Sequence, residues 1–577
     1  MTARRDGARL EPEPPETPMP TTSDALILPR PAAAPDAGPL DERFYDLVEA
    51  RARRLFHANP VMASYFGVHA EDSRLGDPSI DAVEGEIADE RAHLAAMEAL
   101  DPAGLSAGAR FERDLELHNV RLELFELDEL RTWQRRPSAA GDVGDAVFLL
   151  FARGAAPLAE RLARITDRLE AVPAYLEASR SRVTGAPVTA WHETDLRNAD
   201  DLPSLFTELR TAADGVLGRG ELARLERAAS RARDALEAWT GWLRDGRARA
   251  DDAWPLGAER YEELIRRRAF GDLDADAILA IGEEQLRRSH EARRAAALEV
   301  DPDADEATVI ERLKDDHPAT FDEALEGYRD AMRRARAHLV EHDLVTVPDD
   351  EAIDVIPTPE YLRSVMPFAA YFMPPRFDAD RRGIYVVTPA VDDDPNAMRE
   401  HYWASISNTS IHEAYPGHHL QLHVANGHPS VTRMLTDATE FVEGWGMYSE
   451  QMMREQGFDA GPTFRTAMHT DAIWRSCRII LDVKMHRGEI GEQDATDFLV
   501  EHTAFEGANA RAEVRRYTYT PGYQLSYLLG KVLILGLREE ERRRLGPDFS
   551  LKAFHDTLLR NGSLPISFHR RLLRGEG

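Results

Sequence analysis

The sequence predicts a mainly α-helical protein with one small β-sheet. Three observations lead to this class. Apolar residues recur at three- and four-residue spacing along most of the chain, in runs too long for strands. Only Ala352-Ile353-Asp354-Val355-Ile356 and Gly383-Ile384-Tyr385-Val386-Val387-Thr388 form short β-branched and aromatic runs bounded by Pro, Gly and Asp. The length, 577 residues, exceeds one compact core unless that core is an elongated helical one.

Taken in order, residues 1–39 are rich in Pro, Ala, Asp and Glu, which predicts a disordered tail. From Asp41 the pattern turns helical, with Phe44, Leu47, Val48, Leu55 and Phe56 on one face and a stop before Pro60. Helices are expected over about 81–100, 108–133, 155–183, 202–214 and 220–245, with breaks at Pro102, 137–141, 185–187 and Pro255. In the last of these, Leu222, Leu225, Ala229, Ala232, Leu236 and Trp239 mark the buried face. Residues 257–300 and 304–342 are again helical, Tyr371–Pro375 reads as an irregular loop between the two strands, and further helices are expected at 436–454 and 464–500. Residues 40–577 are expected to be one helical unit, with an N-terminal wall of about 40–345 and a second half of about 346–577. The sheet is either a plain hairpin over the core or an edge that pairs with an extended peptide.

The composition narrows the function. The net charge is −31, and the Arg-rich helices are equally rich in Asp and Glu, so nucleic acid is not expected as a partner. No apolar run reaches the roughly 18 residues of a membrane span, so no membrane partner is expected. Arg4 and Arg5 precede no apolar segment, and the single cysteine, Cys477, can form no internal disulfide. A cytoplasmic location is the resulting expectation.

The chemistry concentrates in Ser405–Gln421, where His412-Glu413 ends a helical run, Pro416-Gly417 breaks it, and His418 and His419 follow. Separated histidines with adjacent carboxylates are the donor set of a hydrolytic zinc site. The familiar helical spacing of two histidines at i and i+4 is absent, because that position is Pro416. Pro416 and Gly417 break the helix, so either His418 or His419 can face His412. Downstream, Glu440, Glu443 and Glu450 fall near one helical face, and Gly444-Trp445-Gly446 marks that face as closely packed. Buried acids need a cation. Glu450 suits the task of orienting a ligating imidazole. Arg475, Arg478, Asp482 and His486 share another face, either as a cationic lining for a substrate carboxylate or as an internal Arg–Asp ladder.

These motifs, with Arg516-Tyr517, Pro521-Gly522 and Tyr527-Leu528-Leu529-Gly530, resemble the domain-of-unknown-function 885 family. That family is similar to gluzincin zinc metallopeptidases of the carboxypeptidase Taq, oligopeptidase and angiotensin-converting enzyme type. The resemblance spans about 41–570 and is strongest from Gly383 to Lys531. It implies an elongated helical fold with a central cleft, and one zinc ion held by His412, His418 and Glu443, with His418 favoured over His419. It further implies Glu413 as general base and Tyr527 as oxyanion donor. Tyr523, Tyr517, His486, Arg478, Glu450 and His419 are its substrate-binding or supporting candidates. Tyr523 stands where many relatives have Gln. The expected activity is hydrolysis of short peptides. A zinc amidase acting on a modified peptide and a non-catalytic peptide-binding scaffold are the alternatives.

Overall fold

The computed structural model describes residues 26–154, 156–271, 273–358, 363, 369–389, 397–503 and 505–576. It is mainly helical, as its sequence pattern requires. The segment expected to be a disordered tail lies outside the described residues up to 25. From there the expectation is corrected: Leu26 and Leu28 are buried against Phe44, Val48 and Ala52, and Arg30 pairs with Asp46 and Glu49. Two leucines separated by one residue supply the apolar contact that the surrounding Pro-rich composition hides.

That segment leads into α1 (Pro39–Ala58). The N-terminal wall is built on α2 (Ala139–Ala152), α3 (Leu158–Arg182), α4 (Thr189–Ala213) and α5 (Arg219–Gly246), whose apolar stripes meet in one core around Leu169, Leu205, Phe206 and Trp239. α4 begins well before the expected residue 202, because Pro203 lies inside the helix without ending it.

The second half is laid on α6 (Ala275–Val300) and α7 (Phe321–Glu341). A three-stranded sheet follows: β1 (Ala352–Pro357), β2 (Ala369–Phe372) and β3 (Arg382–Val387), in the order β1-β3-β2. β1 runs parallel to β3, with Val355 opposite Tyr385, so these two strands are not a hairpin. β2 runs antiparallel to β3 with Tyr371 opposite Tyr385. Tyr371 and Phe372 are therefore strand residues, a correction to the expected loop, which begins only at Met373.

Six helices carry or brace the site: α8 (Trp403–Glu413), α9 (His418–Ala425), α10 (Thr439–Glu455), α11 (Pro462–His486), α12 (Gly507–Tyr517) and α13 (Leu528–Leu545). The helix expected over 464–500 is two helices, because Gly488 adopts φ +78° and turns the chain after His486. α10 crosses α13 at bare backbone. A Cβ on Gly530 would lie 1.9 Å from the Glu440 carbonyl oxygen, and one on Gly444 would lie 2.5 Å from the Gly530 carbonyl carbon. This crossing sets Tyr527, at the N-terminus of α13, against α10.

Candidate metal centre

The Pro-Gly break does what the i+4 spacing does elsewhere. α8 ends at Glu413, the Tyr415–Pro416 peptide is cis, and α9 restarts at His418. Gly417 is required at the turn, since a Cβ there would lie 1.8 Å from the His412 carbonyl oxygen. The Pro416 carbonyl accepts a hydrogen bond from Trp445 Nε1 at 2.7 Å, which fixes the loop to α10. The buried Trp of α10 thus has a positional role.

This folding brings the His412 and His418 rings to a centroid separation of 4.7 Å. Both turn Nε2 towards Glu443: Oε2 lies 3.5 Å from His412 Nε2 and 3.3 Å from His418 Nε2. Glu413 joins them, and one ligand atom from each of His412, Glu413 and His418 lies within 4.8 Å of the other two. Two carboxylates therefore flank the imidazole pair. Glu450 Oε1 lies 2.8 Å from His412 Nδ1, and its other oxygen accepts a 3.0 Å bond from Asn408 Nδ2. Asn408 escaped the sequence reading, although it sits one turn before His412 on the same helix face.

The electrostatics favour a cation. Burial opposes charge on His412, but its hydrogen bonds to the Glu443 and Glu450 carboxylates outweigh it and push the imidazole up to about 10. Burial likewise opposes charge on Glu443, and the two imidazoles still hold its carboxyl well below the usual range. Three acids around two imidazoles make a donor set that suits a divalent cation. The residues present fit a zinc ion. His412, His418 and Glu443 would supply its ligands, and the Glu450 contact would set the His412 tautomer.

His419 faces the other way. Its Nε2 lies 2.9 Å from Glu351 Oε2 and its Nδ1 lies 2.9 Å from the Tyr371 hydroxyl, so it ties α9 to the sheet. The geometry brings His418, and not His419, to Glu443.

Two tyrosines approach the same carboxylate from the turn that leads into α13. Tyr523 Oη donates to Glu443 Oε1 at 3.1 Å, and the Tyr523 and Tyr527 hydroxyls are 3.1 Å apart. Burial and the Glu443 charge both raise Tyr527 above the usual phenol value, so it keeps its proton at neutral pH. Asp482 holds this segment by accepting from the backbone N–H of Gly522 at 3.0 Å and of Gln524 at 3.1 Å, and from the Tyr261 hydroxyl at 3.1 Å.

Within α11 Arg475 lies 3.9 Å from Asp471, while Asp482 is taken by the segment before α13. Arg478 pairs with Glu513 at 3.1 Å and donates to the Tyr517 hydroxyl at 3.3 Å. Tyr517 itself donates to Glu513 at 2.9 Å, which makes it a brace for Arg478. His486 is fully buried, stacked on Tyr261 and bonded to the Tyr517 carbonyl at 3.1 Å, away from the imidazole pair.

A mainly helical protein with a paired-histidine, multi-carboxylate centre is the class that fold and site define. The chain belongs to the family described as bacterial protein of unknown function (DUF885), whose pattern matches residues 60–573. None of the curated proteins compared with it matches. Two solved structures, each described as a "putative lipoprotein", share the fold. One, from Shewanella oneidensis, is 24% identical, with a TM-score of 0.75 over 92% of this chain and 99% of its own. The other, from Colwellia psychrerythraea, is 18% identical, with a TM-score of 0.80 over 93% and 99%. Among the described residues no helix is long and apolar enough to cross a membrane.

Proposed function

We propose that the protein is a zinc-dependent hydrolase of amide bonds in short peptides. One observation carries this reading: His412 and His418 turn Nε2 to one oxygen of Glu443 while Glu450 pins the far side of His412. A single zinc ion in this donor set would polarise the scissile carbonyl and acidify the attacking water. Glu413, beside the imidazoles but hydrogen-bonded to neither, takes the proton from that water and returns it to the departing amine. Tyr527, protonated and beside Glu443, donates to the oxygen on which charge develops. Tyr523 holds Glu443 in place and closes the wall between the acid and Tyr527.

A cytoplasmic setting accompanies this reading. The description of the two similar structures as putative lipoproteins raises the opposite location. Cell fractionation separates the two locations.

The test is metal content and hydrolysis of a mixed peptide library by wild type and Glu413→Gln. The expected result is one zinc per chain in both, with cleavage by wild type alone. Absence of stoichiometric metal from both proteins would sink the reading and leave a peptide-binding scaffold. Metal in both with cleavage by neither would move the substrate from ordinary peptides to a modified amide.

A further inference from the structure

We propose that Arg475 and Arg478 form a receptor for a carboxylate of the substrate. The inference rests on the hydrolase reading and adds the chemistry of what the site accepts. The two residues lie one turn apart on α11. Arg478 spends Nε on Tyr517 and Nη2 on Glu513, while its Nη1 is buried with no hydrogen-bond partner in the described structure. Arg475 is less engaged. Its Nε and Nη1 are both buried without a hydrogen-bond partner in the described structure, and Nη1 makes a long ion pair, 3.9 Å, with Asp471 Oδ1.

The acids facing this pair are already committed. Glu513 serves Arg478, Arg516 and Tyr517. Asp471 accepts from Asn408 at 2.8 Å, and Glu450 holds His412. Buried guanidinium nitrogens left unpaired are costly, and an incoming anion is the group that satisfies them.

The guanidinium groups are also held in place. Arg475 and Arg478 lie over the Trp474 ring at 3.8 and 4.2 Å, and over the Tyr527 ring at 5.8 and 4.7 Å. These ring contacts restrain each guanidinium, whose fork suits the two oxygens of a carboxylate. Tyr527 is shared between this pair and the Tyr523–Glu443 contact. A substrate whose carbonyl oxygen meets Tyr527 therefore has its anionic end within reach of the arginines. A terminal carboxylate there makes the protein a carboxy-terminal exopeptidase, whereas a side-chain carboxylate makes it selective for acidic residues.

Binding decides the matter without requiring turnover. The Glu413→Gln protein is titrated with N-acetyl-Ala-Ala-Ala as free acid, with its C-terminal amide, and with N-acetyl-Ala-Glu-Ala amide. The expected result is that a carboxylate-bearing probe binds at least tenfold more tightly than the neutral amide, and that adding Arg475→Gln removes the difference. Tight binding of the free acid assigns the terminus, and tight binding of the Glu-containing amide assigns the side chain. Equal binding of all three, or binding of none, overturns the proposal, and the unsubstituted-arginine comparison stands even if Arg475→Gln misfolds. Hydrolysis of amidated and free-acid libraries by zinc-loaded wild type separates the two failures. Cleavage without acid preference overturns the receptor alone, while acid-dependent binding without any cleavage overturns the short-peptide reading alone.

Discussion

Gly446 lies directly beneath the His412 imidazole. A Cβ built on it would meet Cε1, Nε2 and Nδ1 of that ring at 2.7, 2.8 and 2.9 Å. Adding one methyl group must displace the ring from both Glu443 and Glu450. Gly446→Ala is therefore expected to weaken zinc binding by about 10–100-fold, the range that disturbed supporting contacts produce. Competition titration against a chelator reads this directly. An unchanged zinc affinity would show that His412 is not held where the ligand role requires.

Tyr527→Phe removes one hydroxyl from a buried ring and leaves the ring's packing against Arg478 intact. Loss of an oxyanion donor costs roughly 10²–10³ in kcat. The expected outcome is a fall of that size in kcat, with zinc content unchanged and KM little altered. A variant that cleaves at the wild-type rate would remove Tyr527 from the mechanism.

The crossing of α10 and α13 predicts a contrast within one helix. Gly530→Ala drives a Cβ to 1.9 Å from the Glu440 carbonyl, whereas nothing lies within 4 Å of a Cβ on Gly536. Overpacking at Gly530 costs at least about 1–3 kcal/mol. Gly536→Ala instead gains about 0.5–1 kcal/mol from helix propensity. Thermal melts of the two variants are expected to shift in opposite directions from wild type.

His69 makes a pH-dependent clamp between two acids. Its Nδ1 lies 2.7 Å from Asp72 and its Nε2 lies 2.6 Å from Asp378, so it joins the N-terminal region to the segment after β2. Burial opposes its charge, but the two carboxylates prevail and raise it from 6.5 to about 9. A pKa raised on folding contributes stability that is complete below the unfolded value and lost as pH climbs through the folded one. Between pH 6 and 9.5 the stability advantage of wild type over His69→Gln is expected to shrink by about 1–3 kcal/mol, at 1.36 kcal/mol per unit. Urea melts at the two pH values test this. An advantage constant with pH would mean that His69 is not charged in the fold.

The helical class and the identity of the second imidazole differ in how they can be read from sequence. Periodicity along α5, from Leu225 to Trp239, marks a buried stripe unaided. The choice between His418 and His419 turns on the path of four residues, Ala414 to Gly417. Neighbouring helical residues point about 100° apart, so a small change in that path exchanges the two rings. β2 was hidden for a related reason. Ala369-Ala370-Tyr371-Phe372 has no alternation of its own, and its strand state comes from pairing with β3. Glu443 and Glu450 could be marked on one face in advance, and the α10 face carries both to His412. The partners of Arg478 could not be foreseen, because Glu513 and Tyr517 arrive from α12 through tertiary packing.

The backbone contact between Gly444 and Gly530 has a mechanical meaning. With no side chain between them to roll or slide upon, α10 and α13 behave as a welded joint. The carboxylate that would grip the metal and the phenol that would meet the substrate oxygen then travel together as a single jaw. A substitution that slackens the joint would misalign Glu443 and Tyr527 at one stroke.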